Sequence, residues 1–307
     1  MAPQADVAIL LSTRNGAAYL GEQLDSFLAQ THAAWQIFWR DDGSDDRTSD
    51  LMRDFAASAG AGRVVDLNDN AGHVGITDSF LGLLRRVPRD RIVAFADQDD
   101  VWLPEKLARG VAALETVKAG RTGLYCARQH LVAADLTPIR VSPPVRGPLG
   151  FPHAMTQNIA TGCTVMLNPD AAALLAGARA PRDTLHDWWA YVLISANGGQ
   201  VIADDAPTVL YRQHARNAVG VPLAPGRRAW AALRRGPNVF MRSFRAQMDA
   251  LTEQPHLLSS SARETLAVIS NGLHDGWNLR FQALRHPGLR RQSWAETILF
   301  RLWFMLG

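Results

Sequence analysis

Lysine is almost missing from this chain of 307 residues: 32 residues are basic, and Lys106 and Lys118 are the two lysines among them. Neither follows a glycine, which excludes the Gly-Lys-Ser/Thr phosphate loop. Cysteine is as scarce. Cys126 and Cys163 both lie inside apolar stretches, so neither a disulfide framework nor a zinc cluster is available. No apolar run is long enough to span a bilayer. The nearest, Ile298 to Leu306, is about half of the ~20 residues required and is interrupted by Arg301. The opening Met1-Ala2-Pro3-Gln4-Ala5-Asp6 lacks the basic stretch of a secretory leader, and Val7 to Leu11 is too short for its apolar centre, so a cytoplasmic protein is expected. The segment Ser12 to Ala17 lacks Gly-x-Gly-x-x-Gly, which argues against a dinucleotide-dependent oxidoreductase.

What is present is the usage of an ordinary folded protein, 47% hydrophobic and 20% charged, with an uneven spread of charge. Residues 1–205 hold 18 basic and 24 acidic side chains, whereas residues 206–307 hold 14 arginines and 5 acids. The acidic part is suited to hold a cation and the basic part to meet an anionic partner.

Apolar β-rich runs begin near Val7, Trp35, Arg63 and Arg91, separated by stretches of helical period such as Tyr19, Leu20, Leu24, Phe27 and Leu28. That spacing is the length of a βα unit and predicts a mainly parallel central sheet in an α/β fold. Each run ends in a polar cluster: Ser12 to Gly16, Asp41 to Asp46, Asn68 to Asn70 and Asp97 to Asp100. Ligands of open α/β sheets bind outside the carboxyl ends of the strands, so these clusters mark the expected site. Helix caps would account for one such residue per cluster, not for three or four carboxylates. Further along, the pattern predicts a helix over Glu105 to Val117, strands at Gly123 to Arg128, Cys163 to Leu167, Val201 to Ala203 and Thr208 to Leu210, and a helix from His186 to Ser195. The Pro-rich stretch 138–152 between them reads as a loop over the site. The division expected is a catalytic unit over 1–220 and an Arg-rich helical extension over 221–307.

Asp97-Gln98-Asp99-Asp100 carries the sharpest chemistry. A turn after the strand lets Asp97 and Asp99 converge on one ligand. Their hard oxygens suit Mg²⁺ or Mn²⁺, which can bridge to the phosphates of a nucleotide. A solvated acidic turn is the plain alternative.

Three motifs in order, Ala8 to Gly16 continuing to Thr31, Asp41-Asp42-Gly43-Ser44-Asp45-Asp46-Arg47-Thr48, and Asp97-Gln98-Asp99-Asp100-Val101-Trp102, resemble the inverting family 2 glycosyltransferases, which have the GT-A fold. The resemblance runs from about Val7 to Gly220. It implies that Thr13 and Asp42 lie against the base and ribose of a nucleotide sugar with Asp41 nearby, that Asn15 also belongs to the nucleotide-sugar site, that Asp97 touches ribose or sugar, and that Asp99 binds the metal. Arg14 and Arg40 depart from the family's usual residues. Within His186-Asp187-Trp188-Trp189 the resemblance makes Asp187 the base that takes the acceptor proton; a helix N-cap is the other reading of Asp187. His186, Trp188 and Trp189 are expected on the acceptor side, the tryptophans as a wall for a sugar ring, together with Gly162. In Tyr211-Arg212-Gln213-His214, followed by Asn217 and Gly220, Arg212 is expected to fork onto phosphate oxygens, and His214 to ligate the metal or bind phosphate, unless it is structural. The combination looks most like the rhamnosyltransferase branch, which uses dTDP-L-rhamnose to build surface polysaccharide or O-antigen. The partners implied are a nucleotide-diphosphate sugar and a saccharide or lipid-linked acceptor, with no nucleic acid. A UDP-hexose-dependent transferase and a non-catalytic nucleotide-sugar binding module are the alternatives. Leu289 to Gly307, with arginines and aromatics at helical spacing, reads equally as an interfacial helix touching the membrane or as a helix docked on the catalytic unit or a second subunit.

Overall fold

The computed structural model describes residues 6–69, 72–182, 184–214, 240–274 and 276–306. The four expected runs form strands β1 (Val7–Thr13), β2 (Trp35–Asp41), β3 (Val64–Asp66) and β4 (Ile92–Ala96), with helices α1 (Leu20–Leu28), α2 (Thr48–Ala57) and α3 (Ile76–Leu84) between them. They pair in parallel in the order β3-β2-β1-β4. Val7 to Leu11 and Ile92 to Ala96 are buried on both faces, as a parallel sheet between helix layers requires. Strand period splits these residues between two cores. Val7, Ile9 and Leu11 pack with Leu20, Leu24 and Phe27 of α1. Ala8 and Leu10 pack with Phe80, Leu84 and Phe95 on the other side.

The second half is mixed. It holds β5 (Val101–Trp102), α4 (Lys106–Glu115), β6 (Gly123–Val132), β7 (Pro138–Val141), α5 (His153–Thr156), β8 (Met166–Leu167), α6 (Pro169–Gly177), α7 (His186–Ala196) and β9 (Gln200–Arg212). The nine-stranded sheet runs β3-β2-β1-β4-β8-β6-β9-β5, with β7 on the side of β6. Two-residue β8 is antiparallel to both β4 and β6 and joins the halves; β6 and β9 are parallel.

Three expectations change here. The strand predicted over Cys163 to Leu167 is reduced to β8, because Gly162–Thr164 coils into a 3₁₀ turn closed by Thr164 N–H to Thr161 O (2.8 Å) and Val165 N–H to Gly162 O (2.9 Å). The two short strands near 201 and 208 are one strand, β9. Its register slips between the pairs Ala127–Asp204 and Arg128–Pro207, so Asp205 and Ala206 bulge out, and Pro207, which has no N–H, follows the bulge. The Pro-rich stretch is not wholly a loop: Pro138 opens β7 on the edge of β6, where a missing donor is tolerated.

Beyond the second half lie α8 (240–252), α9 (Ser260–His274), α10 (Trp277–Ala283) and α11 (Trp294–Leu306). Met241, Phe244, Met248, Phe300 and Phe304 join the cluster that contains Trp189 and Leu193 of α7. The expected boundary at 220, like Asn217 and Gly220, lies outside the described residues. Among those described, no helix is long and apolar enough to cross a membrane.

Candidate active site

Parallel register brings the ends of β1, β2 and β4 to one edge: Thr13 pairs with Asp41, and Leu11 with Ala96. Thr13 Oγ1 donates to Asp41 Oδ1 (2.9 Å) and accepts from Trp39 Nε1 (2.9 Å). The Asp41 carboxylate also accepts from Ser44 N–H (2.8 Å) and Ser44 Oγ (2.6 Å). Asn15, at φ 50°, uses the tolerance of asparagine for the left-handed region. Its Oδ1 accepts from Asp45 N–H (2.9 Å), and its own N–H donates to Ser44 Oγ (2.9 Å). The first two clusters are therefore laced into one rim. The third cluster serves as its support, since Asn68 Oδ1 accepts from Asp41 N–H (2.6 Å).

Asp42 lies elsewhere than against an open cleft. It is buried, and its two oxygens accept from Arg40 Nη1 (2.6 Å), Val74 N–H (2.8 Å) and Gly75 N–H (2.9 Å), with His73 Nδ1 at 2.7 Å. Burial pushes the Asp42 carboxyl up, but the hydrogen bonds from Val74, Arg40, Gly75 and His73 together outweigh it and hold the group below the usual carboxylate range. Arg40, the departure noted in the sequence, is the buried cation that answers it.

The end of β4 is zipped to that of β1. Gln98 Oε1 accepts from Arg14 N–H (2.7 Å), and Gln98 Nε2 donates to Arg14 O (2.8 Å), as a strand neighbour would. Gly16 permits this, because a Cβ there would lie 2.3 Å from Gln98 Oε1 and 2.4 Å from its Cδ. Gly16→Ala is expected to cost roughly 1–3 kcal/mol in urea unfolding through that overlap. Adding Gln98→Ala should recover part of the loss; an additive double variant would remove the explanation.

Asp97, Asp99 and Asp100 follow. Asp99 Oδ2 lies 2.8 Å from His214 Nε2, and the imidazole is stacked on Tyr19 at 4.9 Å. Burial, and then the charges of Asp99 and Asp187, raise the Asp97 carboxyl well above its ordinary value. Asp100 is fully buried; burial and the charges of Asp97 and Asp99 raise it too. Its Oδ1 accepts from Arg212 N–H (3.0 Å), and the Cys163 thiol lies beside its carboxyl. The Arg212 side chain does not reach toward a phosphate. It is 1% exposed, donates from Nε to Asp99 O (2.8 Å), from Nη1 to Ala134 O and from Nη2 to Glu22, and lies over the Tyr19 ring at 4.6 Å. Arg212 thus fixes the acidic turn from behind.

Asp187 enters from the first turn of α7. Its Oδ2 accepts from Gly162 N–H (2.9 Å) and its Oδ1 from Trp188 N–H (2.6 Å). Burial pushes its carboxyl up to about 6 against the pull of these bonds and one from Asn158. The helix cap is Leu185, which makes no side-chain cap bond. Gly162 has the close approach expected of it: a Cβ there would meet His186 Nε2 at 3.2 Å. His186 and Trp189 do not line a cleft. His186 is buried, stacked on Phe80 at 4.0 Å and edge-on to Phe95 at 4.8 Å, with both ring nitrogens unpartnered and a pKa pushed down by burial to about 3. Trp189 is fully buried in the core. Trp188 is part-buried and donates from Nε1 to Ala154 O (2.8 Å). The helical period explains the split, since residues 186, 189, 190 and 193 share one face.

Lys106 went unremarked as a site residue in the sequence, although it is one of two lysines. It is fully buried, with Nζ 3.6 Å from the centroid of the Trp102 ring and no hydrogen-bond partner among the described residues. Burial lowers its pKa to about 7, with Cys163 and Asp100 acting in the opposite sense. It is a buried amine close to the acidic turn.

The donor set fits a divalent cation. Asp99 and His214 already converge, and the Asp97 carboxyl is opposed by the charges of Asp99 and Asp187, a repulsion that Mg²⁺ or Mn²⁺ would relieve. The deeper group of Asp97, Asp100 and Cys163, whose ligand atoms lie within 4.8 Å of one another, fits less well, because burial raises the thiol and keeps it protonated.

A parallel half-sheet with acidic strand ends, joined to a mixed half that supplies a carboxylate from a helix start, is the architecture of a GT-A glycosyltransferase. The family model Glycosyl transferase family 2 matches residues 8–129, the stretch from β1 into β6. It is 24% identical to dTDP-rhamnosyl transferase RfbG of Shigella flexneri over 224 residues, 70% of this chain and 75% of that one. It is 27% identical to the Escherichia coli UDP-Glc:alpha-D-GlcNAc-diphosphoundecaprenol beta-1,3-glucosyltransferase WfgD over 110 residues, 35% of this chain and 40% of that one. Among solved structures, S. aureus TarS 1–349 in complex with UDP-GlcNAc superposes with a TM-score of 0.60 at 13% identity, covering 92% of this chain and 79% of that one. The mannosyltransferase PcManGT from Pyrobaculum calidifontis, in complex with GDP-Man and Mn²⁺, superposes at 0.54 with 17% identity, covering 98% and 88%.

Proposed function

We propose that this transferase moves a sugar, with inversion, from a nucleoside diphosphate onto a hydroxyl of a saccharide or lipid-linked saccharide during surface polysaccharide synthesis. The observation that carries the reading is Asp187, a buried carboxylate raised toward neutrality and near enough to Asp97 to raise that group in turn. A carboxylate that titrates near 6 at this position is ionised at neutral pH and suits removal of a proton from the acceptor hydroxyl as its oxygen attacks the anomeric carbon. The bond from that carbon to the diphosphate breaks on the opposite face, and the departing diphosphate carries the electrons away. Asn15 and Asp41 form the rim for base and ribose, the buried Thr13 holds the Asp41 carboxylate in place, and Asp97 faces ribose or sugar. Asp99 and His214 would hold Mg²⁺ or Mn²⁺. When bound, such a cation supplies charge neutralisation to the diphosphate. Arg212 stiffens the turn that carries these groups.

For the donor, likeness to RfbG along most of its length supports L-rhamnose from dTDP-L-rhamnose. The second reading, a UDP-hexose, is favoured by the UDP-glucose named for WfgD and the UDP-GlcNAc named with TarS. Calorimetry with dTDP, UDP and GDP, each with and without Mn²⁺, tests both. Metal-dependent binding of dTDP tighter than UDP by about tenfold or more, a difference of ~1.4 kcal/mol, is the expected result. Preference for UDP would retain the transferase and discard rhamnose; folded protein that binds none of the three would overturn the reading.

A further inference from the structure

The last two helices expose what a folded helix normally hides. Trp294, Ile298, Leu302 and Leu306 recur every four residues along α11 and are each more than half exposed, Trp294 at 78%. The opposite face of the same helix, with Phe300, Trp303 and Phe304, is buried in the core. A helix apolar on both faces is one whose outer face lacks a partner. The outer stripe continues on α10 with Trp277 and Phe281, 65% and 62% exposed. Arg280 ties the two helices together, donating from Nη1 to Met305 O (2.8 Å).

Charge selects the occupant. Residues 276–306 contain five arginines and one acid, Glu296. Arg285, Arg290 and Arg301 are exposed around the apolar stripe. A second copy of the chain, meeting this face through two-fold symmetry, would set these arginines against their own copies with little acid to answer them. An anionic surface answers them without that penalty. Tryptophan and arginine are also the side chains that settle at the boundary of lipid and water. At 13 residues and with its inner face packed, α11 lies on such a surface and does not cross it. We propose that the α10–α11 face docks on an anionic lipid bilayer, with Trp277, Phe281, Trp294, Ile298 and Leu302 in the headgroup boundary and Arg285, Arg290 and Arg301 on lipid phosphates. The inference holds whichever sugar is transferred.

The test is flotation of the full chain with phosphatidylcholine vesicles, with and without about a third phosphatidylglycerol, beside sedimentation of the free protein. The anionic vesicles are expected to carry the chain upward several-fold more than the neutral ones, less so at high salt. The triple variant Trp294→Ser, Ile298→Ser, Leu302→Ser should reduce recovery roughly tenfold with an unchanged melting temperature. Arg285→Gln, Arg290→Gln, Arg301→Gln should remove the preference for anionic lipid, and provides the same reading if the first variant fails to fold. Equal recovery with and without phosphatidylglycerol would overturn the proposal. So would a dimer that the first variant splits while flotation stays at background, because that result assigns the face to a second copy.

Discussion

Asp187→Asn is expected to reduce transfer by roughly 10²–10⁴-fold, the range for loss of a general base, while nucleotide binding by calorimetry stays within about twofold of wild type. The amide keeps an oxygen for Gly162 N–H, while its NH₂ cannot accept from Trp188 N–H, so one of the two backbone bonds is given up. Stability should change in the opposite sense. The Asp187 carboxyl titrates near 6 when folded and near 3.8 as an unperturbed group. The folded state therefore binds the proton more tightly. Its contribution favours folding fully below the unfolded value and is lost as the pH rises through about 6. At neutral pH the buried charge is a cost that the asparagine variant removes, offset in part by the lost Trp188 bond, so its stability in urea should rise by no more than about 1–3 kcal/mol and the advantage should shrink below about pH 6. Activity of the wild type should rise with pH along a limb near 6 in kcat/KM. An unchanged transfer rate in the variant would remove Asp187 from the chemistry. Loss of nucleotide binding together with transfer would make it a structural residue.

The second large effect is expected at Asp42. Asp42→Ala leaves the Arg40 guanidinium, whose side chain is 4% exposed, without its closest carboxylate, and takes the acceptors from Val74 and Gly75 N–H. Removing one partner of a buried ion pair costs about 3–5 kcal/mol. Chemical denaturation at pH 7 measures it. Because the folded carboxyl lies below its unfolded value, this stabilisation is present above the unfolded value and fades as the pH falls through the folded one. The gap between wild type and variant should narrow below about pH 4. A variant as stable as wild type that has lost nucleotide affinity would return Asp42 to the ribose-facing role expected from the sequence.

That revision shows where sequence reasoning stops. The βα spacing and the polar run ends identified the parallel half-sheet and the edge that carries Thr13, Asp41, Asp97 and Asp99, because period and strand direction are local properties. The commitments of individual side chains depend on distant segments. Asp42 is claimed by the loop at His73 to Gly75, some 30 positions on, and Arg212 by Glu22 and Ala134, 190 and 78 positions away. Nothing in Asp41-Asp42 or Tyr211-Arg212 reports such partners. His186-Asp187-Trp188-Trp189 is a different case. Projection on a helix would have separated His186 and Trp189, which face Phe80 and the core, from Asp187 and Trp188. The extents of β8 and β9 were illegible for a third reason: a strand ends where its partner ends, and the partner is β6.

The aromatic cluster that Phe244, Phe300 and Phe304 share with Trp189 and Leu193 bears on how chains of this kind can be recombined. The helix that presents Asp187 shares this core with residues contributed after position 240, and its last residue, Ala196, accepts from Ser259 N–H (3.0 Å). A graft that exchanges only the tail between two such chains would replace the backing of the helix that carries Asp187. Grafts that carry α7 across with the tail keep that lock and key together; those cut near 220 should yield protein that is retained but slow, or none at all.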